Sequence, residues 1–313
     1  MDGQAYTRSM RHAVDGILVV DKPAGISSAR VVARVKSILK ARKAGHAGTL
    51  DPFATGVMVC CIHRATKLSR FFLHSRKTYE AVLRLGRETD TQDLTGTVTA
   101  EADPGMIREK DLQAVFERFQ GRQMQSPPAY SALKHRGVPL YKLARQGTAV
   151  QKPDREILIS ELTIEEIALP DVRFTVTCSA GTYVRTLAAD IGRALGCGGH
   201  LAALKRTASG HFTLAKAVPL DRVAELTDAG RIENRMIPMA EALVGMAGHA
   251  ADKPLTQKIM YGNTITVRDL PPPKTDGGYV KVLNRDGNLL AVLHHEKGRE
   301  RYEYCGNFAL NSA

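Results

Sequence analysis

Apolar residues along the 313-residue chain fall in short runs and alternations rather than long blocks. Gly16-Ile-Leu-Val-Val20 is a continuous apolar run and predicts a buried strand; Lys22-Pro23-Ala24-Gly25 predicts the turn that ends it. Ser27 or Ser28 can cap a helix reaching about Lys40, with Val31, Val32, Val35, Ile38 and Leu39 on one face and Arg30, Arg34, Lys36 and Lys40 on the other. A Gly-rich loop, Ala44 to Gly56, separates this helix from a second apolar strand, Val57 to Ile62, and a short helix ends near Leu73. Alternation predicts strands at Lys77–Leu85, Arg155–Ile167 and Val172–Cys178, and helical spacing predicts Glu109–Phe119, Pro139–Arg145 and Tyr183–Leu195. Strands and helices mix without strict alternation, which predicts an α+β fold rather than a doubly wound sheet.

Gly and Ala cluster between Gly245 and Asp252, where a domain boundary is expected. Beyond it, Thr264–Val267, Tyr279–Leu283, Leu289–His294 and Tyr302–Cys305 read as short strands separated by turns such as Asn284-Arg-Asp-Gly287. The expected division is therefore residues 1–245 and a small β-rich unit, residues 246–313. No internal repeat is evident, and low complexity is limited to Pro271-Pro-Pro273.

Charge sharpens this picture. The chain carries 44 Lys and Arg against 32 Asp and Glu, a net +12. Between Arg8 and Arg87 there are 16 basic and 4 acidic residues, so this quarter holds the whole excess. Such a concentration attracts a polyanion, and nucleic acid is the expected partner; the plainer reading is a solvated, solubilising face. No run approaches the roughly 18 apolar residues of a membrane span. The segment Met1 to Asp15 has no apolar leader. The five cysteines, Cys60, Cys61, Cys178, Cys197 and Cys305, include no CxxC, which points to reduced thiols, a cytoplasmic setting and no structural zinc.

Candidate chemistry concentrates in the loop Gly45 to Gly56. Gly45, Gly48 and Gly56 permit close backbone approach, and Pro52 biases Asp51 toward extended geometry. A carboxylate fixed among Lys and Arg is favoured in its ionised form and can act as a nucleophile or stabilise positive charge. Taken alone, Asp51-Pro52 is also a common turn pair. His46 and Asp51 are too few ligands for a metal, no metal is expected, and the GxxxxGK[ST] phosphate loop is absent.

Gly45-His-Ala-Gly-Thr-Leu-Asp-Pro-Phe-Ala-Thr-Gly56 closely resembles the catalytic motif of the TruB family of tRNA pseudouridine synthases. Six further segments match in order: Val20–Ser27, Ala65–Ser69, Lys77–Tyr79, Arg87–Asp93, Tyr130–Lys134 and Gly181–Thr186. Ala47 departs from the pattern, which usually has Thr there. The resemblance implies a mixed, mainly antiparallel sheet with flanking helices, plus a PUA-type RNA-binding C-terminal domain. It implies isomerisation of uridine 55 in the T-arm loop of tRNA, with base flipping and no cofactor. It also implies site residues. Asp51 is the essential aspartate, Arg185 its partner and Tyr79 the active-site tyrosine; His46 would fill the space of the flipped base, and Leu204 would pack against that base. Lys22, Asp90, Tyr130, Lys134 and Tyr183 lie in or beside matched motifs and are expected near the substrate. Without the resemblance, Arg185 would read as a helix-surface residue, Tyr79 as strand core and Leu204 as helix core. The alternatives are a non-catalytic RNA-binding or RNA-folding protein on the same scaffold and, less well supported, a metal hydrolase. Nothing calls for an obligate protein partner or for more than a monomer.

Overall fold

The computed structural model describes residues 15–148, 150–273 and 278–309. The reading of Met1 to Asp15 as free of an apolar leader falls, except for Asp15, outside them, as do Arg8 and Arg11. The apolar run predicted at the start becomes β1 (Gly16–Lys22), paired antiparallel with β3 (Thr55–Ile62) from Gly16↔Ile62 to Lys22↔Gly56. Ile17–Val20 and Val57–Ile62 within them form continuous apolar runs because both faces are covered. Leu18, Val20, Met58, Cys60 and Ile62 pack under Val31 and Val35 of α1 (Ser28–Ile38). Ile17, Val19, Val57, Val59 and Cys61 face the opposite way, against Phe72, Phe212 and Leu243. Full burial of one such side chain contributes about 1.5–3 kcal/mol.

The Gly-rich segment is not wholly a loop. Its first residues form β2 (Ala44–His46), paired antiparallel with the end of β3, and Thr55–Gly56 already belong to β3. Downstream come β4 (Lys77–Leu85), α2 (Glu109–Arg118), β5 (Gly121–Gln125), β6 (Arg155–Ala168), β7 (Asp171–Cys178), α3 (Val184–Ala194), β8 (Gly199–Ser209) and β9 (Val218–Pro219). The main path of the sheet runs β9-β1-β3-β8-β4-β7-β6-β5. It is mixed but mainly antiparallel; β1 with β9 and β3 with β8 are the parallel pairs along it. The fold is thus α+β, as the pattern predicted. A second core lies where α2 (Leu112, Val115, Phe116) and α3 (Val184, Leu187, Ile191) cover β4, β6 and β7.

These two halves of the sheet meet at β3 and β8, which share only the register pairs Lys205↔Thr55 and Arg206↔Gly56. At that seam Gly56 adopts φ +100, and a Cβ there would sit 2.2 Å from the Arg206 carbonyl oxygen. The segment 47–54 rests on this seam.

A smaller sheet follows: β10 (Ala247–Ala250), β11 (Tyr279–Leu283), β12 (Leu289–His294) and β13 (Glu303–Asn307), in that spatial order. The Gly/Ala cluster at the expected boundary contains β10, which pairs parallel with β11. One expectation needs correction here. Thr264–Val267 is not a strand: Asp269 Oδ2 accepts from Thr266 N and Oγ1, both at 3.0 Å, and folds the chain into a turn. Sequence reading also missed α4 (Lys253–Met260), which Asp252 caps by accepting from Leu255 N at 2.8 Å. The small sheet does not stand apart, because Leu289, Val292 and Phe308 pack in the same cluster as Ile17 and Val19.

Candidate active site

Three side chains grip the backbone of the segment around Asp51. Ser27 caps α1, which frees Ser28 to bond both ways with Leu50: Oγ accepts from Leu50 N and donates to Leu50 O, each at 2.8 Å. Lys22 is fully buried and donates to the carbonyls of Pro52 (3.0 Å), Ala54 (2.6 Å) and Pro23 (2.9 Å). It therefore faces the loop rather than solvent, and burial lowers its pKa to about 8. From the other side, the buried Arg206 donates to Gly48 O (3.2 Å), Thr49 O (3.1 Å) and Val57 O (2.7 Å). Ala47, where the matched pattern has Thr, is 2% exposed among apolar side chains, so its methyl group suits the site without an unpaired hydroxyl.

Asp51 projects from this fixed frame with its side chain one-third exposed (33%), while its partner Arg185 is 4% exposed. Arg185 Nε donates to Asp51 Oδ2 at 2.8 Å, Nη1 to Thr91 O at 2.6 Å and Nη2 to Tyr130 O at 2.9 Å. Each of the three guanidinium nitrogens thus has an acceptor, and the direction of the fork fixes that of the carboxylate. Asp93 stands 3.6 Å behind Arg185 and is 7% exposed. Its Oδ1 accepts from Thr91 Oγ1, Thr95 N and Thr95 Oγ1, which orders the turn that presents the Thr91 carbonyl. Arg185 is therefore buried ion-pairing machinery and not the helix-surface residue that its position alone would suggest.

Tyr79 lies on β4 in the same core cluster as Leu50, Ala54 and Leu204. Burial raises its pKa and the neighbouring Arg206 opposes that rise; Asp51 is close enough to contribute. Leu204 sits on strand β8, opposite Ala81, and not on a helix. His46, on β2, keeps a buried Nδ1 with no hydrogen-bond partner among the described residues. Burial first, and Arg206 second, lower its pKa, and the Gly48 backbone opposes them.

The remaining expected residues are more peripheral. Tyr130 gives its carbonyl to Arg185 and its hydroxyl to Asp90 Oδ2 at 3.1 Å, and Asp90 Oδ1 accepts from Thr97 N. Asp90 thus holds the Tyr130 turn and is not itself bonded to Asp51. Tyr183 begins α3; Gln125 brackets its backbone, and the Arg155 guanidinium covers its ring at 4.6 Å. Lys134 is exposed on a small hairpin (Lys134–His135 with Val138–Pro139) and has no side-chain partner among the described residues. Reading the sequence did not single out Asp93, Lys77 or Arg206. The first two lie inside quoted motifs; Arg206 carries no local signal, since a basic residue near the end of a strand normally reads as exposed.

A surface cleft of about 790 Å³ opens elsewhere, between Gly86, Glu101, Pro104 and Pro170. Its arginines Arg84 and Arg87 are ion-paired, and neither Asp51, Tyr79 nor Arg185 lines it, so its size does not make it the reactive site. Among the described residues no group of three or more His, Cys, Asp or Glu could hold a metal ion. No helix among them is long and apolar enough to cross a membrane.

Comparison with known proteins places the chain in a family. The N-terminal domain model of the TruB family of pseudouridylate synthases matches residues 36–184, and the C-terminal domain model of tRNA pseudouridylate synthase B matches 185–244. The chain is 43% identical to tRNA pseudouridine synthase B of Burkholderia mallei over 93% of its own length and 94% of that protein. It is 46% identical to the protein of that name from Geobacter sulfurreducens, covering 89% and 93%. Among solved structures it resembles a chain of a Cbf5–Nop10–Gar1 complex, with TM-score 0.71 and 26% identity over 92% of this chain and 83% of that one. On these matches and the fold that carries them, the chain belongs to the TruB family of pseudouridylate synthases.

Proposed function

We propose that this protein isomerises uridine 55 in the T-arm loop of tRNA to pseudouridine, without a cofactor, in the cytoplasm. The observation that carries this reading is the Asp51 carboxylate, presented at an open edge and aimed by the buried Arg185. The near-complete match to relatives named tRNA pseudouridine synthase B supports the substrate class.

The chemistry is balanced without redox. The C1′–N1 bond breaks, the uracil turns, and a C1′–C5 bond forms. The C5 hydrogen leaves as a proton, and N1 gains one. Asp51 serves either as the nucleophile or as the anion that stabilises the electron-poor sugar. Tyr79 and Leu204 flank the base, and stacking on the phenol contributes about 1–3 kcal/mol. The target must first leave its loop, at a cost of a few kcal/mol. The flat His46 ring suits the space the base vacates. Tyr183 and Lys134 would touch the RNA; Lys22, Asp90 and Tyr130 shape the cleft that receives it. Residues 246–313 would act as a PUA-type domain that adds grip on the tRNA, which the monomer binds through its basic face.

The test is pseudouridine mapping in tRNA from cells lacking the protein and complemented with wild type or Asp51→Asn. Wild type should restore the modification at position 55. The variant should bind tRNA yet leave it unmodified. Near-wild-type turnover by Asp51→Asn would refute the assignment.

A further inference from the structure

We propose that Arg206 is a positioning residue for the isomerisation, holding the catalytic loop and Tyr79 in one fixed relation from beneath the site. This deepens the functional reading above and rests on it.

Arg206 is 1% exposed. Among the described residues it forms no ion pair with a carboxylate; its guanidinium is satisfied by the carbonyls of Gly48, Thr49 and Val57. Burying a cation without a counter-charge costs several kcal/mol before those carbonyls offset it. A neutral side chain could fill the same space at less cost, so what the charge and its fork provide is direction.

That direction is set by where Arg206 sits. On β8 it pairs with Gly56 on one side and with Tyr79 on the other. Two of its three acceptors are the carbonyls two and three residues before Asp51. The third, Val57 O, follows the loop. Across the β8–β4 ladder Arg206 stands opposite Tyr79, and its charge opposes the rise that burial imposes on the phenol's pKa. One planar, permanently charged group thus references both ends of the Asp51 loop and the tyrosine on the neighbouring strand. Lys22 and Ser28 grip the loop but come from β1 and α1, and in the sheet β3 and β8 lie between β1 and the strand that carries Tyr79. A displacement of about 1 Å between reacting groups lowers rates on the order of 100-fold.

The experiment compares full-length wild type, Arg206→Met and Arg206→Lys with a tRNA transcript. It measures kcat, KM and thermal midpoint, normalising kcat to the folded, tRNA-binding fraction. Arg206→Met should lower kcat about 100-fold with KM within about threefold, and Arg206→Lys should recover about tenfold of that loss. Combined with Tyr79→Phe, the Arg206→Met effect should be much smaller than in the wild-type background, because the two act as a unit. A folded Arg206→Met protein with kcat within threefold of wild type would overturn the proposal. So would a loss confined to KM, or full additivity with Tyr79→Phe. Should Arg206→Met fail to fold, the same criteria apply to Arg206→Lys. A wild-type protein inert on tRNA would overturn the functional reading itself, and this proposal with it.

Discussion

Arg185→Lys keeps the charge opposite Asp51 and removes only the fork. The guanidinium has three acceptors in three directions, Asp51 Oδ2 at 2.8 Å, Thr91 O at 2.6 Å and Tyr130 O at 2.9 Å. A single ammonium on a flexible stem satisfies one of these well and leaves two others short of a donor. A hydrogen bond to a charged group contributes about 1.5–3 kcal/mol, so two losses amount to about 3–6 kcal/mol. Asp51 is one-third exposed and water can replace one partner, which reduces the net cost to about 2–4 kcal/mol. For a chain of this size that corresponds to a fall in Tm of about 3–6 °C. The carboxylate also loses its fixed direction, so turnover should drop on the order of 100-fold while tRNA affinity changes little. Differential scanning fluorimetry gives the first quantity. Release of tritium from tRNA labelled at uracil C5 gives the second, since that hydrogen is lost when the new bond forms. A lysine variant with wild-type Tm and a rate within threefold would show that the fork neither anchors the turn nor aims Asp51.

Two further outcomes follow from the packing. Gly56→Ala puts a Cβ 2.2 Å from Arg206 O at φ +100 and should cost more than about 3 kcal/mol, whereas Gly25→Ala, at φ +80 with open space around it, should cost about 1–2 kcal/mol; equal Tm losses would mean the β3–β8 seam yields freely. Burial, aided by Arg206, lowers the Lys77 pKa from 10.5 to about 8. Between those values the unfolded chain holds a proton that the folded chain has shed, so the cost of burying this amine, full below about pH 8, is relieved as pH rises through the window. The Tm of wild type relative to Lys77→Met should therefore improve from pH 8 to pH 10, and a constant difference would contradict the burial of a charged amine.

The fold class and most elements were legible because their signals are local. The run at Gly16–Val20, the alternation of Lys77–Leu85 and the helical spacing of Glu109–Phe119 each fix their own geometry. What escaped were elements whose signal is diluted. β8 interrupts its apolar alternation with Lys205 and a buried Arg206, and it carries register shifts against β4. Thr264–Val267 has strand-like residues, but the Asp269 side chain bonds the backbone of Thr266 and closes a turn instead. At the site, Asp51, Tyr79 and Arg185 were nameable from short motifs. Asp93 and Arg206 were not, because a charged residue gives no sign in sequence of being buried.

The sequence alone determined the stiffness of the Gly45–Gly56 segment, the basic bias of the N-terminal quarter and the identity of the charged pair. Backbone freedom at glycine, restriction at proline and total charge are properties of residue type and order. Only the tertiary structure decided which of those charges face solvent. Lys22, Lys77, Arg185 and Arg206 are buried while Arg30, Arg34 and Lys36 stay exposed. Lys77 is held by the nearby carbonyls of Leu73 and Ser75, whereas Lys22, Arg185 and Arg206 converge on Asp51 and the segment that carries it. There the carbonyls of a bent segment, unable to pair in a ladder, need donors from side chains distant in sequence.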